Sequence, residues 1–165
     1  MKRVALLAIV LPLLITPCRS AGAQTGELRV NAGLASGIGS DGHPVARATT
    51  ASFSFVKSSF SFGPEVLYVA GEQRIFGIGG TARLRVSSGP LAAYLVGGLG
   101  GNYWKRQEFV TAGLFSGSLG GGLSLATRGA LAITLEARLY KNLQRYGGEG
   151  NWGFATVTAG VRLGW

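Results

Sequence analysis

Charged residues spaced two positions apart are the first feature of this sequence that could do chemistry. Arg83 and Arg85 form one such pair, and Glu136 and Arg138 form another. Residues two apart lie on the same face of a β-strand, so each pair would present both of its charges to one environment. Guanidinium and carboxylate groups that share an environment form charge-assisted hydrogen bonds and ion pairs.

Other segments of the chain also carry charged residues, at the alternate positions that their polar residues occupy. If these segments are strands of one sheet, they place the charges on a common polar face. We expect a charge network there, composed of Arg29, Glu65, Arg83, Arg85, Glu136, Arg138 and Arg162, with Glu27 on the same face. Because bare charges in a narrow interior are costly, pairing is expected. The network is then either a polar plug that sets packing and register, or a gate in a narrow conducting path.

Catalytic chemistry has few candidates. The only histidine, His43, and the only aspartate, Asp41, lie in the segment GIGSDGHPVAR, where a histidine before a proline is most simply a solvated loop residue. Gly37 to Gly42 also match G-x-G-x-x-G, but a dinucleotide site needs a helix after that motif, and here a proline and an alternating segment follow. The sequence therefore predicts no catalytic residue, no metal site and no cofactor.

The N-terminus has the layout of a secretory signal peptide. Lys2 and Arg3 precede the apolar run 4–15, and small residues lead up to Ala23. We expect residues 1–23 to be removed, which lowers the net charge from +9 to +6 because two arginines and one lysine leave. A lipoprotein signal ending at Cys18 is the alternative.

The remaining chain, residues 24–165, alternates between apolar and polar residues, as strands do. The apolar parity stays in phase across three predicted hairpins. These pair Phe55 with Phe60 around Lys57-Ser58, Leu84 with Ala93 around Ser88-Gly89, and Leu125 with Leu131 around 127–129. The segment 131–143 also has helical spacing, and its continuity with the third hairpin favours a strand.

Eight strands are predicted in all. They cover 27–36, 46–56, 59–69, 75–87, 91–101, 113–126, 130–141 and 153–165. Connections near 37–45, 70–74, 102–112 and 142–152 are polar and mostly long, and those between them are tight. Long connections that alternate with tight turns are typical of transmembrane β-barrels.

The composition of the two faces predicts which one meets lipid. Charged residues make up 14% of the chain, against about 25% in typical soluble domains. An eight-stranded barrel has an interior just wide enough for side chains, and small and charged residues fit it. The bulky face would then meet acyl chains, with aromatic girdles at both interfaces. We assign to these girdles Phe53, Phe55, Phe60, Phe62, Tyr103, Trp104, Trp152 and Trp165. A soluble, lipocalin-like secreted barrel is the alternative.

The last strand, TVTAGVRLGW, resembles the C-terminal insertion signal of bacterial outer-membrane proteins, with Val161, Leu163 and Trp165 on one face. With the leader and the eight strands, residues 24–165 resemble the small outer-membrane β-barrel family that includes OmpA and OmpX. The resemblance implies an all-β, antiparallel up-and-down barrel in the bacterial outer membrane, inserted by the barrel-assembly machinery and monomeric.

Several functions remain open within that resemblance. The protein could be structural, interact through its loops, or form a narrow pore. A lipid A-modifying enzyme is a further alternative. For a deacylase, however, the resemblance implies a histidine and a serine near the C-terminal strand, and this chain has no histidine there. Outer-membrane lipid is the expected partner, and Tyr103 to Arg106 would suit lipopolysaccharide, with rings at the interface and cations on phosphates. Nucleic acid is not expected for an exported chain.

Overall fold

The structure, a computed structural model, describes residues 25–37, 45–71, 74–106, 109–127, 130–143 and 153–165. Within these ranges it describes all side chains except those of Thr25, 104–106 and 109–114. The predicted leader (1–23), the leader's cysteine, His43 and Trp152 therefore lie outside the described residues.

Eight antiparallel strands account for nearly all of the described chain. They are β1 (Thr25–Ser36), β2 (Ala46–Lys57), β3 (Phe60–Ala70), β4 (Arg74–Arg85), β5 (Leu91–Arg106), β6 (Phe109–Ala126), β7 (Leu131–Asn142) and β8 (Gly153–Gly164). Each strand pairs with its neighbour in the chain, and β8 pairs with β1, which closes the barrel. The all-β, eight-stranded up-and-down barrel expected from the sequence is confirmed, and 131–142 is a strand rather than a helix. None of the described residues belongs to a helix long and apolar enough to cross a membrane.

The barrel has two distinct ends. The turn end carries the hairpins β2–β3, β4–β5 and β6–β7 together with Trp165, and the loop end carries the other four connections. Two of those, 37–45 and 143–152, are long. The predicted long connection at 102–112 is wrong, because β5 and β6 continue to pair as far as Arg106 and Phe109 after an irregularity at Asn102. Aromatic and β-branched residues in this segment, such as Tyr103 and Val110, favour strand over loop.

The three predicted hairpin registers are also wrong, and each differs by the same amount. Phe55 pairs with Phe62 rather than Phe60, and Leu84 pairs with Leu95 rather than Ala93. Leu125 likewise pairs with Ile133. In each hairpin the turn lies one residue further along the chain than expected. The partner of each residue on the first strand is therefore two positions later than predicted. At the first turn, Ser58 adopts a positive φ of 57°, and Lys57 stays paired with Phe60.

Side chains alternate strictly between the interior and the outer wall. Along β7 every second residue from Ala132 to Asn142 is buried, and the residues between them are exposed. Buried positions in the barrel are mostly small, polar or charged, whereas the exposed positions carry the large apolar side chains. This is the reverse of a soluble barrel, in which the apolar face fills the interior, and it agrees with the predicted assignment of the two faces.

Candidate functional site

A buried group of four charges spans the middle of the interior, which we call the central cluster: Glu65 on β3, Arg83 on β4, and Glu136 and Arg138 on β7. Because β3 and β7 are four strands apart in a ring of eight, their side chains meet across the full width of the barrel. The cluster carries two positive and two negative charges, so it is balanced.

The contacts in the central cluster are short. Arg138 binds Glu65 with two nitrogens, Nη1 at 2.6 Å and Nη2 at 2.8 Å, in the fork geometry that guanidinium and carboxylate prefer. The Nε of Arg138 lies 2.7 Å from Glu136. Arg83 lies between the same two carboxylates, 3.2 Å from Glu65 and 3.3 Å from Glu136. Each arginine therefore touches both glutamates, and the four side chains hold opposite walls of the barrel together.

Tyr94 on β5 completes the environment of Glu136, and the sequence analysis did not identify it. Its hydroxyl donates a hydrogen bond of 3.0 Å to Glu136. The ring lies over Gly122 on the adjacent strand β6, where a Cβ atom would come within 2.5 Å of it. A glycine is therefore needed at position 122 for the tyrosine to reach across to β7. Tyr94 occupies one of the inward-facing alternate positions of segment 91–99, and this position is the signal by which the sequence could have identified it.

A second group of charges lies nearer the turn end and is called the turn-end cluster: Glu27 and Arg29 on β1 and Arg162 on β8. Arg29 Nε donates to Glu27 at 2.7 Å, while Arg162 is 3.8 Å from the other oxygen of the same carboxylate. The guanidinium of Arg29 also stacks 4.7 Å from the centre of the Tyr94 ring, which links the two clusters. Six of the seven residues of the predicted charge network thus lie in one cluster or the other. The seventh, Arg85, is exposed at the end of β4.

Apolar side chains fill the interior at the loop end, which the sequence analysis did not anticipate. This apolar layer comprises Ala35, Ala46, Ala48, Leu67, Val69, Ile75, Tyr140 and Phe154. Tyr140 and Phe154 stack with their ring centres 4.7 Å apart and their planes within 4° of parallel. The interior therefore holds its charges in the middle and near the turn end, and a mixture of apolar and neutral polar side chains at the loop end.

On the outer wall, aromatic residues gather at the turn end. Phe53, Phe55, Phe60, Phe62 and Trp165 form a chain of ring contacts with centres 5.1–6.0 Å apart. Trp165 also exchanges two backbone hydrogen bonds of 2.9 Å with Gly26, which ties the end of the chain to β1. With Val161 and Leu163 it forms the outward face of the last strand, where each side chain is more than a third exposed.

A second set of outward aromatic residues lies near the loop end. Tyr68, Phe76 and Tyr103 are directly paired on the neighbouring strands β3, β4 and β5, so they form one row around the wall. Of the predicted girdle residues that do not belong to the turn-end group, Tyr103 lies in this row. Trp104 is on β5 with its side chain outside the description, and Trp152 lies outside the described residues. Among the described residues, no three His, Cys, Asp or Glu side chains are grouped so that they could hold a metal ion.

Comparisons by sequence and by structure differ in outcome. No protein-family model matches the chain, and no curated protein matches it in sequence. Solved structures do match. Neisserial surface protein A (NspA) aligns over 84% of this chain and 96% of its own, with a TM-score of 0.74 and 15% identity. The N-terminal β-barrel domain of Pseudomonas aeruginosa OprF aligns over 88% of this chain and 100% of its own, with a TM-score of 0.68 and 12% identity.

An enzyme is also among the matching structures. The outer-membrane enzyme PagL aligns over 83% of this chain and 98% of its own, with a TM-score of 0.53 and 11% identity. At sequence identities of 11–15%, these comparisons show a shared fold and nothing more specific. The resemblance predicted from the alternating strands and the terminal tryptophan is confirmed at that level, and the chain has the fold of the small eight-stranded outer-membrane β-barrels.

Proposed function

We propose that the protein is an integral, monomeric protein of the bacterial outer membrane, with a structural or surface-interacting role carried by its loop end and a closed interior. One observation carries this proposal: the large apolar side chains cover the outer wall between two aromatic belts, while six charged side chains are buried inside. In water this wall would be an apolar patch far larger than soluble monomers expose. In a bilayer it is the band that lipid-facing barrels present.

Two outward cations support contact with lipid phosphates at the loop end. Arg47 on β2 and Arg74 on β4 both pair with Ala70 on β3, so a small side chain separates two exposed guanidinium groups. Lys105 pairs with Arg74 on the other side. Aromatic rings at the interface with cations next to them favour anionic lipid headgroups. We infer that this rim binds the phosphates of lipopolysaccharide in the outer leaflet.

The interior supports a closed barrel rather than a pore. The central cluster joins opposite walls, and the apolar layer lies beyond it toward the loop end, beside the buried polar side chains of Asn102, Ser116 and Asn142. Ions would have to break the paired charges of the central cluster in order to pass. We therefore expect the protein to produce no conductance steps in a planar lipid bilayer.

Catalysis is not part of the proposal. General acid–base and nucleophilic catalysis need a positioned histidine or carboxylate beside a nucleophile. The described carboxylates Glu27, Glu65 and Glu136 are each held by arginine. The surface role is assigned instead to the connections 37–45 and 143–152, since loops on a rigid barrel commonly carry binding. Insertion through the outward face of β8 by the barrel-assembly machinery, after cleavage of the leader behind Ala23, belongs to the same proposal.

The proposal is tested by expressing the chain with its own leader in a Gram-negative host. We expect it in the outer-membrane fraction, with faster gel migration before boiling than after, and with lipopolysaccharide co-purifying in detergent. The double variant Arg47→Gln/Arg74→Gln should retain less lipopolysaccharide per barrel, whereas Lys57→Gln, an exposed cation at the turn end, should not. Recovery of a water-soluble protein from the periplasm would reject membrane insertion. Equal lipopolysaccharide retention by both variants would reject the phosphate-binding rim alone.

A further inference from the structure

The turn-end cluster has more positive charge than its carboxylate can pair. Arg29 and Arg162 lie directly opposite each other on β1 and β8, and like charges in directly opposed positions repel. One carboxylate, Glu27, serves both guanidinium groups, at 2.7 Å from Arg29 and 3.8 Å from Arg162. Glu27 also accepts a long hydrogen bond of 3.5 Å from the hydroxyl of Ser61. The pairing is therefore unequal, and Arg162 is poorly compensated.

Two of the nitrogens in this cluster are buried and have no hydrogen-bond partner among the described residues: Nη1 of Arg29 and Nε of Arg162. A guanidinium group has five N–H donors and cannot lose its charge in a protein. A buried donor without an acceptor is destabilising, and the more so when it is charged. These donors therefore favour an acceptor that carries negative charge.

The charges inside the barrel also fail to balance at this end. The central cluster is neutral as a group, so the excess is confined to the turn-end cluster, where two arginines face one glutamate. Exposure rises from Arg29, whose side chain is 5% exposed, to Arg162 at 17% and to the exposed Arg85. The turn end is therefore the more exposed side of the cluster, from which a ligand would enter.

We propose that the turn-end cluster is a binding site for a phosphate-class oxyanion, held between Arg29 and Arg162 with Arg85 at the entrance. A tetrahedral oxyanion offers acceptors on several sides, and the planar fork of arginine matches two of its oxygens at once. Bound there, it would offset the excess charge and accept hydrogen bonds from the two unpartnered nitrogens. This site is separate from the phosphate-binding rim, because it lies inside the barrel and near the other end.

The experiment titrates inorganic phosphate into the full protein, purified from membranes in zwitterionic detergent, with chloride adjusted to keep ionic strength constant. Nitrogen-15 resonances of the arginine Nε–H groups report binding. We expect saturable shifts for Arg29 and Arg162 and a smaller response to acetate. Arg162→Gln should weaken phosphate binding about tenfold or more, as expected for the loss of one charged hydrogen-bond partner. Lys141→Gln removes one positive charge from the outer wall, away from both proposed phosphate sites, and should leave the affinity unchanged.

A second variant keeps the proposal testable if Arg162→Gln fails to fold. Glu27→Gln removes the carboxylate that competes for the same donors, so phosphate should bind several-fold more tightly. The proposal is overturned if phosphate produces no saturable shift, or if Arg162→Gln and Lys141→Gln change its affinity equally. It is also overturned if Glu27→Gln leaves the affinity unchanged or lowers it.

Discussion

Replacing Glu136 with glutamine tests whether the central cluster holds the barrel together. Glutamine keeps the size of the side chain and can still accept a hydrogen bond from Tyr94, but it removes the negative charge. Glu136 is 2% exposed and contacts Arg83 at 3.3 Å and Arg138 at 2.7 Å. The substitution therefore leaves three buried charges where four were balanced.

The expected loss of stability follows from these contacts. Breaking a buried ion pair by removing one partner costs about 3–5 kcal/mol. Both arginines keep contacts to Glu65, so we expect the lower end of that range, about 3 kcal/mol. The measurement is the free energy of unfolding in urea, with the protein in lipid vesicles and tryptophan fluorescence as the signal. A double-mutant cycle with Arg83→Gln should give a coupling of about 1–3 kcal/mol, since Glu136 and Arg83 contact each other directly.

Lys141→Gln is the matched control, because Lys141 is an exposed charge on the same strand. It should change the free energy of unfolding by less than about 0.5 kcal/mol. If Glu136→Gln were as stable as the wild-type protein, or no less stable than Lys141→Gln, the cluster would not contribute the stability that its geometry implies.

Three further substitutions probe other parts of the barrel. Leu135→Arg places a charge on the lipid face and should lower the free energy of unfolding in vesicles by about 2–4 kcal/mol, with no such loss expected if that face meets water. Gly122→Ala should cost about 1–3 kcal/mol in the same assay, because the new methyl group overlaps the Tyr94 ring and the backbone oxygen of Leu135, and a Tyr94→Ala background should recover only the part due to the ring. Trp165→Ala should reduce the yield of heat-modifiable barrel in the outer membrane, whereas Val157→Ala, also outward on β8, should not; equal yields would argue against a role for the terminal tryptophan in insertion.

The alternation of the sequence was enough to predict the fold and the two faces, but not the register. A shift of one residue moves every side chain of a strand to the other face, whereas a shift of two keeps each one where it was. The pattern therefore could not distinguish Phe55–Phe62 from Phe55–Phe60, and only the turn could decide. That turn uses Ser58 at a positive φ, without the glycine or asparagine that would have indicated its position.

The candidate site was predictable as a set of charges but not as pairs. Parity placed Glu65 and Arg138 on the same face, yet their contact joins strands on opposite walls and depends on barrel closure. The apolar layer was missed for a different reason. Leu67, Val69 and Ile75 lie on inward positions beside outward Tyr68 and Phe76, so this stretch is apolar on both faces and its alternation is weak.

The orientation of the outer wall is tested most directly by spin labels on single cysteines at the outward positions of β7: Ile133, Leu135, Ala137 and Leu139. Labels are compared in lipid vesicles for their accessibility to oxygen, which concentrates in acyl chains, and to a water-soluble nickel chelate. We predict high oxygen accessibility and exclusion of the chelate at the central positions, as expected for side chains in contact with acyl chains. Ready access of the chelate to all four positions would place this wall in water and contradict a membrane-spanning barrel.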